Sequence, residues 1–312
     1  MASTSLEALL VTVEAEGVQE VDGLAVFGLR WASAAGLDYA TLDESLAAGT
    51  LEVREVSEQG SVPTLRVVNR AGRRVFLMAG EHVVGAKQDR VLNASLMVEA
   101  NSETPVPVSC VEARRWHDRS RSGKFGSKQT MSHGLLRKMM SEQTHAGYRQ
   151  VGTPTSDQGK VWGEVSRKLG AMGSHSDTSA FAQVYDDHAH KLEALLTRFR
   201  VPEGCHGAAF AVHGAIAGAD LFDRPDTLGK LWAKLLRGYA LDVLEPQPRD
   251  APSPPPLNPA GVTTWLRAAA SAKAEPYRSP GLGMDLRLTA PGFVGSGLVV
   301  DERPVHVELF PV

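Results

Sequence analysis

Apolar residues recur with two different periods in two stretches of this chain, and the change between them limits the folds it can adopt. Up to about residue 116 they come in short runs broken by turn residues, the pattern of strands. Residues 24–31, 50–56, 64–69, 73–80, 94–100 and 106–112 all read this way, with Asn-Arg-Ala-Gly at 69–72 as a hairpin turn. A short helix is expected at 41–49, with Thr41 as N-cap, Glu44 completing a capping box and Gly49 ending it. Beyond residue 130 the spacing becomes helical: Leu135, Leu136, Met139 and Met140 share one face, and Trp162, Val165 and Leu169 another. Residues 176–199 predict one long helix, 206–222 a strand of small residues, and 227–244 an amphipathic helix. A helix near 261–273 and strands at 284–290, 295–301 and 304–310 close the chain, the last two joined at Asp301-Glu302-Arg303.

The class expected is α+β: a strand-rich N-terminal half, a helical middle and a C-terminal β-hairpin that rejoins the sheet. We expect one α+β domain over 1–312, with a mobile basic loop at 117–130 and a proline-rich connector at 246–259.

With 33 basic against 36 acidic residues the formal charge is -3, so any surface for a polyanion would be a local patch. Two cysteines, Cys110 and Cys205, exclude a disulfide framework and a four-cysteine zinc module, and no His or carboxylate spacing indicates a metal. No dinucleotide fingerprint or nucleophile elbow occurs, so no cofactor is implied. The first residues lack a basic segment and carry Glu7 and Glu14, and no stretch reaches the roughly 18 apolar residues of a membrane span. A cytoplasmic protein without membrane partners is expected. Oligomeric state is not legible.

The densest polar cluster, Gly80 to Arg90 and then Asn93, lies between strands. Its Gly80 and Gly85 resemble a phosphate loop, but Ala86 precedes Lys87 and Gln88 follows, which rules out a Walker motif. It is either a solvated hairpin end or a ligand site in which Lys87, Gln88, Asp89 and Arg90 meet an anionic, hydroxyl-rich molecule. A second cluster runs through Ser109, Cys110, Glu112, Arg115 and Trp116. On a strand Cys110 and Glu112 share a face, and a carboxylate raises a thiol pKa, which weighs against a nucleophile and leaves buried filler as the other role for Cys110. Glu112 either pairs with arginine or does chemistry. Basic residues at 114–128, interleaved with Trp116 and Phe125, form the one nucleic-acid-like feature; a solvated loop or a lid over an anionic ligand are its other readings. His213 reads as a core histidine.

GEHVVGAKQDRVLN at 80–93 and PVSCVEARRW at 107–116 resemble the ARG and Rhodanese-Phosphatase-superfamily-associated protein domain family, a bacterial group. The likeness extends through 214–242 and 295–310, most of the chain. The family keeps genomic company with ADP-ribosylglycohydrolases and other proteins of NAD and ADP-ribose metabolism. The resemblance therefore implies a small nucleotide-like ligand, bound or processed by glycosidic cleavage or transfer. On that reading Glu112, Glu81 and Cys110 are the catalytic candidates, and Lys87, Gln88, Asp89, Arg90, Asn93, Ser109, Arg115 and Trp116 the ligand-binding ones, in a pocket built from both clusters. Whether the chain is an enzyme stays open: a non-enzymatic adaptor that binds RNA or a protein through 114–128 is the alternative.

Overall fold

The computed structural model describes residues 2–32, 36–57, 60–117, 123–247 and 256–312. In chain order the elements of the first half are α1 (Ala2–Thr12), β1 (Glu14–Val21), β2 (Leu24–Arg30), β3 (Tyr39–Thr41), α2 (Leu42–Ala47), β4 (Leu51–Glu55), β5 (Thr64–Asn69), β6 (Arg74–Leu77), β7 (His82–Gly85), β8 (Arg90–Leu92), β9 (Leu96–Val98), β10 (Ser102–Cys110) and β11 (Lys124–Gly126). Then come α3 (Gly134–Val151), α4 (Gln158–Ala171), α5 (Ala182–Asp187), α6 (Ala189–Leu196), β12 (Gly207–Val212), β13 (Ala215–Phe222), α7 (Pro225–Leu244), α8 (Pro259–Ala268), β14 (Lys273–Arg278), β15 (Met284–Ala290), β16 (Phe293–Val300) and β17 (Arg303–Pro311). The class is α+β.

Eight antiparallel strands form the largest sheet, in the order β1-β2-β12-β13-β17-β16-β15-β14. The C-terminal hairpin thus rejoins the first two strands, with β12 and β13 inserted between. Alternation along β2 sends Ala25, Phe27 and Leu29 to one face, where Leu6, Leu9 and Val262 of α1 and α8 cover them. Leu24 and Val26 point the other way, into a larger core with Leu136 and Met140 of α3 and Leu228 and Leu235 of α7. Arg137 enters this layer from α3, buried, donating to Asp220 at 2.9 Å and Glu308 at 3.0 Å.

Most of the remaining N-terminal strands close into a barrel, β10-β5-β4-β11-β7-β8, filled by Val53, Leu65, Val67, Val83, Val108 and Phe125. β3, β6 and β9 form a separate three-stranded sheet. The turn at 69–72 therefore does not make a hairpin, because β5 belongs to the barrel and β6 to the small sheet. Asn69 sets this: its Nδ2 donates to the carbonyls of Arg73 and Glu99 at 2.8 and 2.9 Å while its Oδ1 accepts from Ala71 N–H, turning the chain between sheets.

Local signals held elsewhere. Thr41 and Glu44 form the capping box, and Gly49 leaves the helix at φ +66°. Three other expectations are corrected. The expected helix at 176–199 is two short ones, because the chain turns at His188 (φ -105°, ψ 12°) so that α5 packs on α4 and α6 on α7. The expected strand at 206–222 is a hairpin whose turn residues His213 and Gly214 take φ +49° and +83°, so His213 is exposed at a loop tip, not in the core. The expected loop at 117–130 contributes β11, which pairs with both β4 and β7; residues 118–122 lie outside the described ones. Of the connector at 246–259, 248–255 lie outside them too, and α8 begins at Pro259 with Asn258 as its cap. Among the described residues no helix is long and apolar enough to cross a membrane.

Candidate functional site

The two sequence clusters meet because β8 pairs with β10, setting Leu92 opposite Val108 and Arg90 opposite Cys110. Just past that pairing, Arg115 folds back beneath the β7–β8 turn. Its Nε and Nη2 donate to the two oxygens of Glu112 at 2.9 and 2.6 Å, Nη2 reaches Asp89 at 3.2 Å, and Nη1 donates to the carbonyls of Ala86 and His117. Every direction of the guanidinium is engaged, which fixes the turn against the end of β10. Gly85 is required there: it has φ +129°, and a Cβ on it would lie 2.7 Å from the carbonyl oxygen of Lys124.

Glu112 also accepts from Asp89 N–H at 3.1 Å and from Thr178. Burial opposes its charge, but Arg115, Thr178 and the Asp89 amide outweigh burial and hold its carboxyl below the usual glutamate range. Asp89 is shifted the other way: burial and the neighbouring Glu112 push its carboxyl up, against the pull of the Gly85 N–H and Arg115. Two adjoining carboxyls under one arginine thus differ in proton affinity, the arrangement that separates a proton-exchanging group from a permanently ionised one.

Asp89, Glu112 and Arg115 line a cavity of about 470 Å³. Its opposite wall comes from far along the chain: Ser176, Asp177 and Thr178, then Gln183 and Asp186 of α5, with Lys128 at one side. This wall is tied to the end of β10 by Phe181 N–H to Val111 O at 2.9 Å and Arg114 N–H to Thr178 O at 3.0 Å. Sequence reasoning missed it, having placed 176–199 in one long helix; Ser176 Oγ instead accepts from Ala180 N–H in a turn before α5.

The other expected site residues lie elsewhere. Lys87, Gln88, Arg90, Cys110 and Trp116 gather at one end of the barrel. Arg90 donates to Gln88 at 3.1 Å, and both Arg90 and Lys87 lie 5.6 Å from the Trp116 ring. Cys110 is buried there; burial, with Glu55 and Glu112 adding against the opposing pull of Arg90, pushes its thiol up to about 11, the reverse of an activated nucleophile. Asn93 and Ser109 stitch the barrel to the helical layer: Asn93 donates to the Pro154 carbonyl at 3.0 Å and accepts from Ser109 at 2.8 Å. Gln158 completes the seam, its amide giving to and taking from the Cys110 backbone at 2.8 Å each, as a neighbouring strand would. Glu81 is buried in an ion pair, 2.6 Å from Lys234, whose Nζ also meets Asp43 at 2.8 Å. Of the expected site residues, Asp89, Glu112 and Arg115 thus line the open cavity, and the others lie in three networks outside it.

These features define an α+β protein in which a closed barrel abuts a large antiparallel sheet and a carboxylate-lined cavity opens at the barrel's edge. The family model for the ARG and Rhodanese-Phosphatase-superfamily-associated Protein domain matches residues 12–310, and the chain belongs to that family. No curated protein and no solved structure matches it.

Proposed function

We propose that the cavity beside Arg115 binds a ribose-bearing ligand of the ADP-ribose or NAD kind, and that Asp89 is the carboxyl that exchanges a proton during glycosidic cleavage or transfer. The observation that carries this reading is the split between Asp89, pushed toward protonation, and Glu112, held ionised under the same guanidinium in an open cavity. Glu112 then stabilises positive charge developing at the sugar carbon, as ionised carboxylates do in glycoside chemistry. Ser176, Thr178 and Gln183 supply groups suited to sugar hydroxyls, and Lys128 is the cation nearest to hand for a phosphate. The ligand class comes from the family, whose name ties it to ARG proteins. Both cysteines are free, which goes with a reducing, cytoplasmic setting.

The test is calorimetric titration with ADP-ribose and NAD, followed by chromatography of the products. Binding of at least one, with turnover lost in Asp89→Asn and binding kept, supports the reading; no binding of either at millimolar concentration refutes it. An adaptor role through 114–128 has no comparable support among the described residues. Arg115 is buried, Lys124 pairs with Glu52 at 3.5 Å and Lys128 with Asp186 at 3.4 Å.

A further inference from the structure

We infer that one water molecule is bound inside the fold where the barrel meets the large sheet, held by Arg137 and Ser141. These two stand four residues apart on α3 and so share a face. Both are buried, 3% and 2% exposed. The Arg137 guanidinium lies over the Phe310 ring, 5.1 Å from its centre, so its donors point outward in its own plane. Nη1 donates to Asp220 and Tyr239 at 2.9 and 3.3 Å, and Nη2 to Asp220 and Glu308 at 2.5 and 3.0 Å. Four of the five N–H groups are thereby used. The fifth, on Nε, meets no acceptor among the described residues.

Ser141 is left in the same state. A serine within a helix commonly turns its hydroxyl back to the carbonyl four residues before it, here that of Arg137, but Ser141 Oγ has no hydrogen-bond partner among the described residues. Both residues line one cavity, which Gly80 and Asn93 bound from the barrel side and Glu308 from the sheet. Its room, about 10 Å³ for the centre of a water molecule, suits one water and no organic group. Gly80 leaves it that room, since a Cβ there would lie 3.2 Å from Arg137 Nε.

The lining selects water over an ion. Glu308 on the wall repels an anion, and the Arg137 guanidinium repels a second cation. A water accepts from Nε–H and exchanges a hydrogen bond with Ser141 Oγ, and its remaining proton suits the Glu308 carboxylate. An unmade bond from a buried guanidinium costs more than immobilising one water, so the site is filled whenever the chain is folded. None of these residues lines the cavity beside Arg115, so the site is independent of the reading above.

Two measurements on the full chain test this. In isotope-labelled protein the Arg137 Nε–H should give cross-peaks to water of opposite sign in nuclear and rotating-frame Overhauser spectra, the pattern of a water that tumbles with the protein. Cross-peaks of equal sign come from passing surface water or proton exchange and overturn the inference, as does the absence of any cross-peak. Crystals of the same chain, one of them soaked in bromide, identify the occupant. The result expected is one peak of density within hydrogen-bond reach of Arg137 Nε and Ser141 Oγ, silent in the bromide anomalous map. A bromide signal at that place, or no density between the two atoms, overturns the inference.

Discussion

Arg115→Met is the sharpest perturbation, because one guanidinium holds the turn, the acid pair and the cavity wall together. Arg115, Glu112 and Asp89 are 4%, 2% and 9% exposed, so little water would replace what is lost. Removing the guanidinium strips Glu112 of both its short bonds to Arg115 and leaves two adjacent carboxylates facing each other, while the Asp89 amide and Thr178 still donate to Glu112. Breaking a buried pair of this kind costs about 3–5 kcal/mol, and the surviving donors put this one near 3. Arg115→Lys cannot recover it, since an ammonium does not reproduce the fork that meets two carboxylate oxygens. Glu112→Gln keeps the shape and removes the charge, so the double variant should lose about 2 kcal/mol less than the sum of the single ones. The pH dependence has a definite sign: Glu112 binds its proton more weakly in the fold than in the unfolded chain, so its ionisation stabilises above the ordinary glutamate pKa and the contribution is lost as pH falls. In Arg115→Met that acid-side loss should diminish. Urea unfolding of the four proteins between about pH 3 and 7 measures all of this. A loss under about 1 kcal/mol for Arg115→Met, or additivity within about 0.5 kcal/mol, would refute the placement of Arg115 as the tie.

Three other outcomes follow from the same physics. Lys234→Met leaves Glu81 and Asp43 without their shared cation and should cost about 3–5 kcal/mol in urea unfolding, with Glu81→Gln added in the same chain returning part of it. Burial works against the charge on Asp220 and Asp242, but Arg137 for the first and His133 with Lys168 for the second hold each at about 2. Their ionisation therefore stabilises the fold above about pH 4, and roughly 2 kcal/mol apiece should drain away as pH falls from 4 to 2; a flat acid limb in the unfolding free energy would contradict this. Cys110, wholly buried with its thiol near 11, should resist a thiol reagent at pH 8 in the native chain and react once the chain is unfolded in urea. Rapid native labelling at Cys110 would show that the barrel end opens.

What the sequence determined by itself were the features set by near neighbours. The capping box at Thr41 and Glu44, the strand alternation of β2, β4 and β5, the helical face of Leu136 and Met140 and the turn at Asp301 and Glu302 depend on residues a few positions apart, so one stretch contains the whole cause. The class α+β follows from summing such stretches, and the two motifs stand out in the sequence as dense polar clusters between apolar strands. Tertiary structure alone decided how they are used. Nothing local says that β5 and β6 enter different sheets, since that depends on what Asn69 bonds at Glu99, or that the 176–199 segment breaks at His188 to meet two different helices. Nor could spacing distinguish Arg114 from Arg115, or show that Glu81 is held by Lys234 while Asp89 faces the cavity. A site is made where chains distant in sequence converge, and burial and charge at that point, not residue type, set what each carboxyl can do. Ser176 to Thr178 wall the cavity across more than sixty residues from Glu112, a separation that periodicity cannot span.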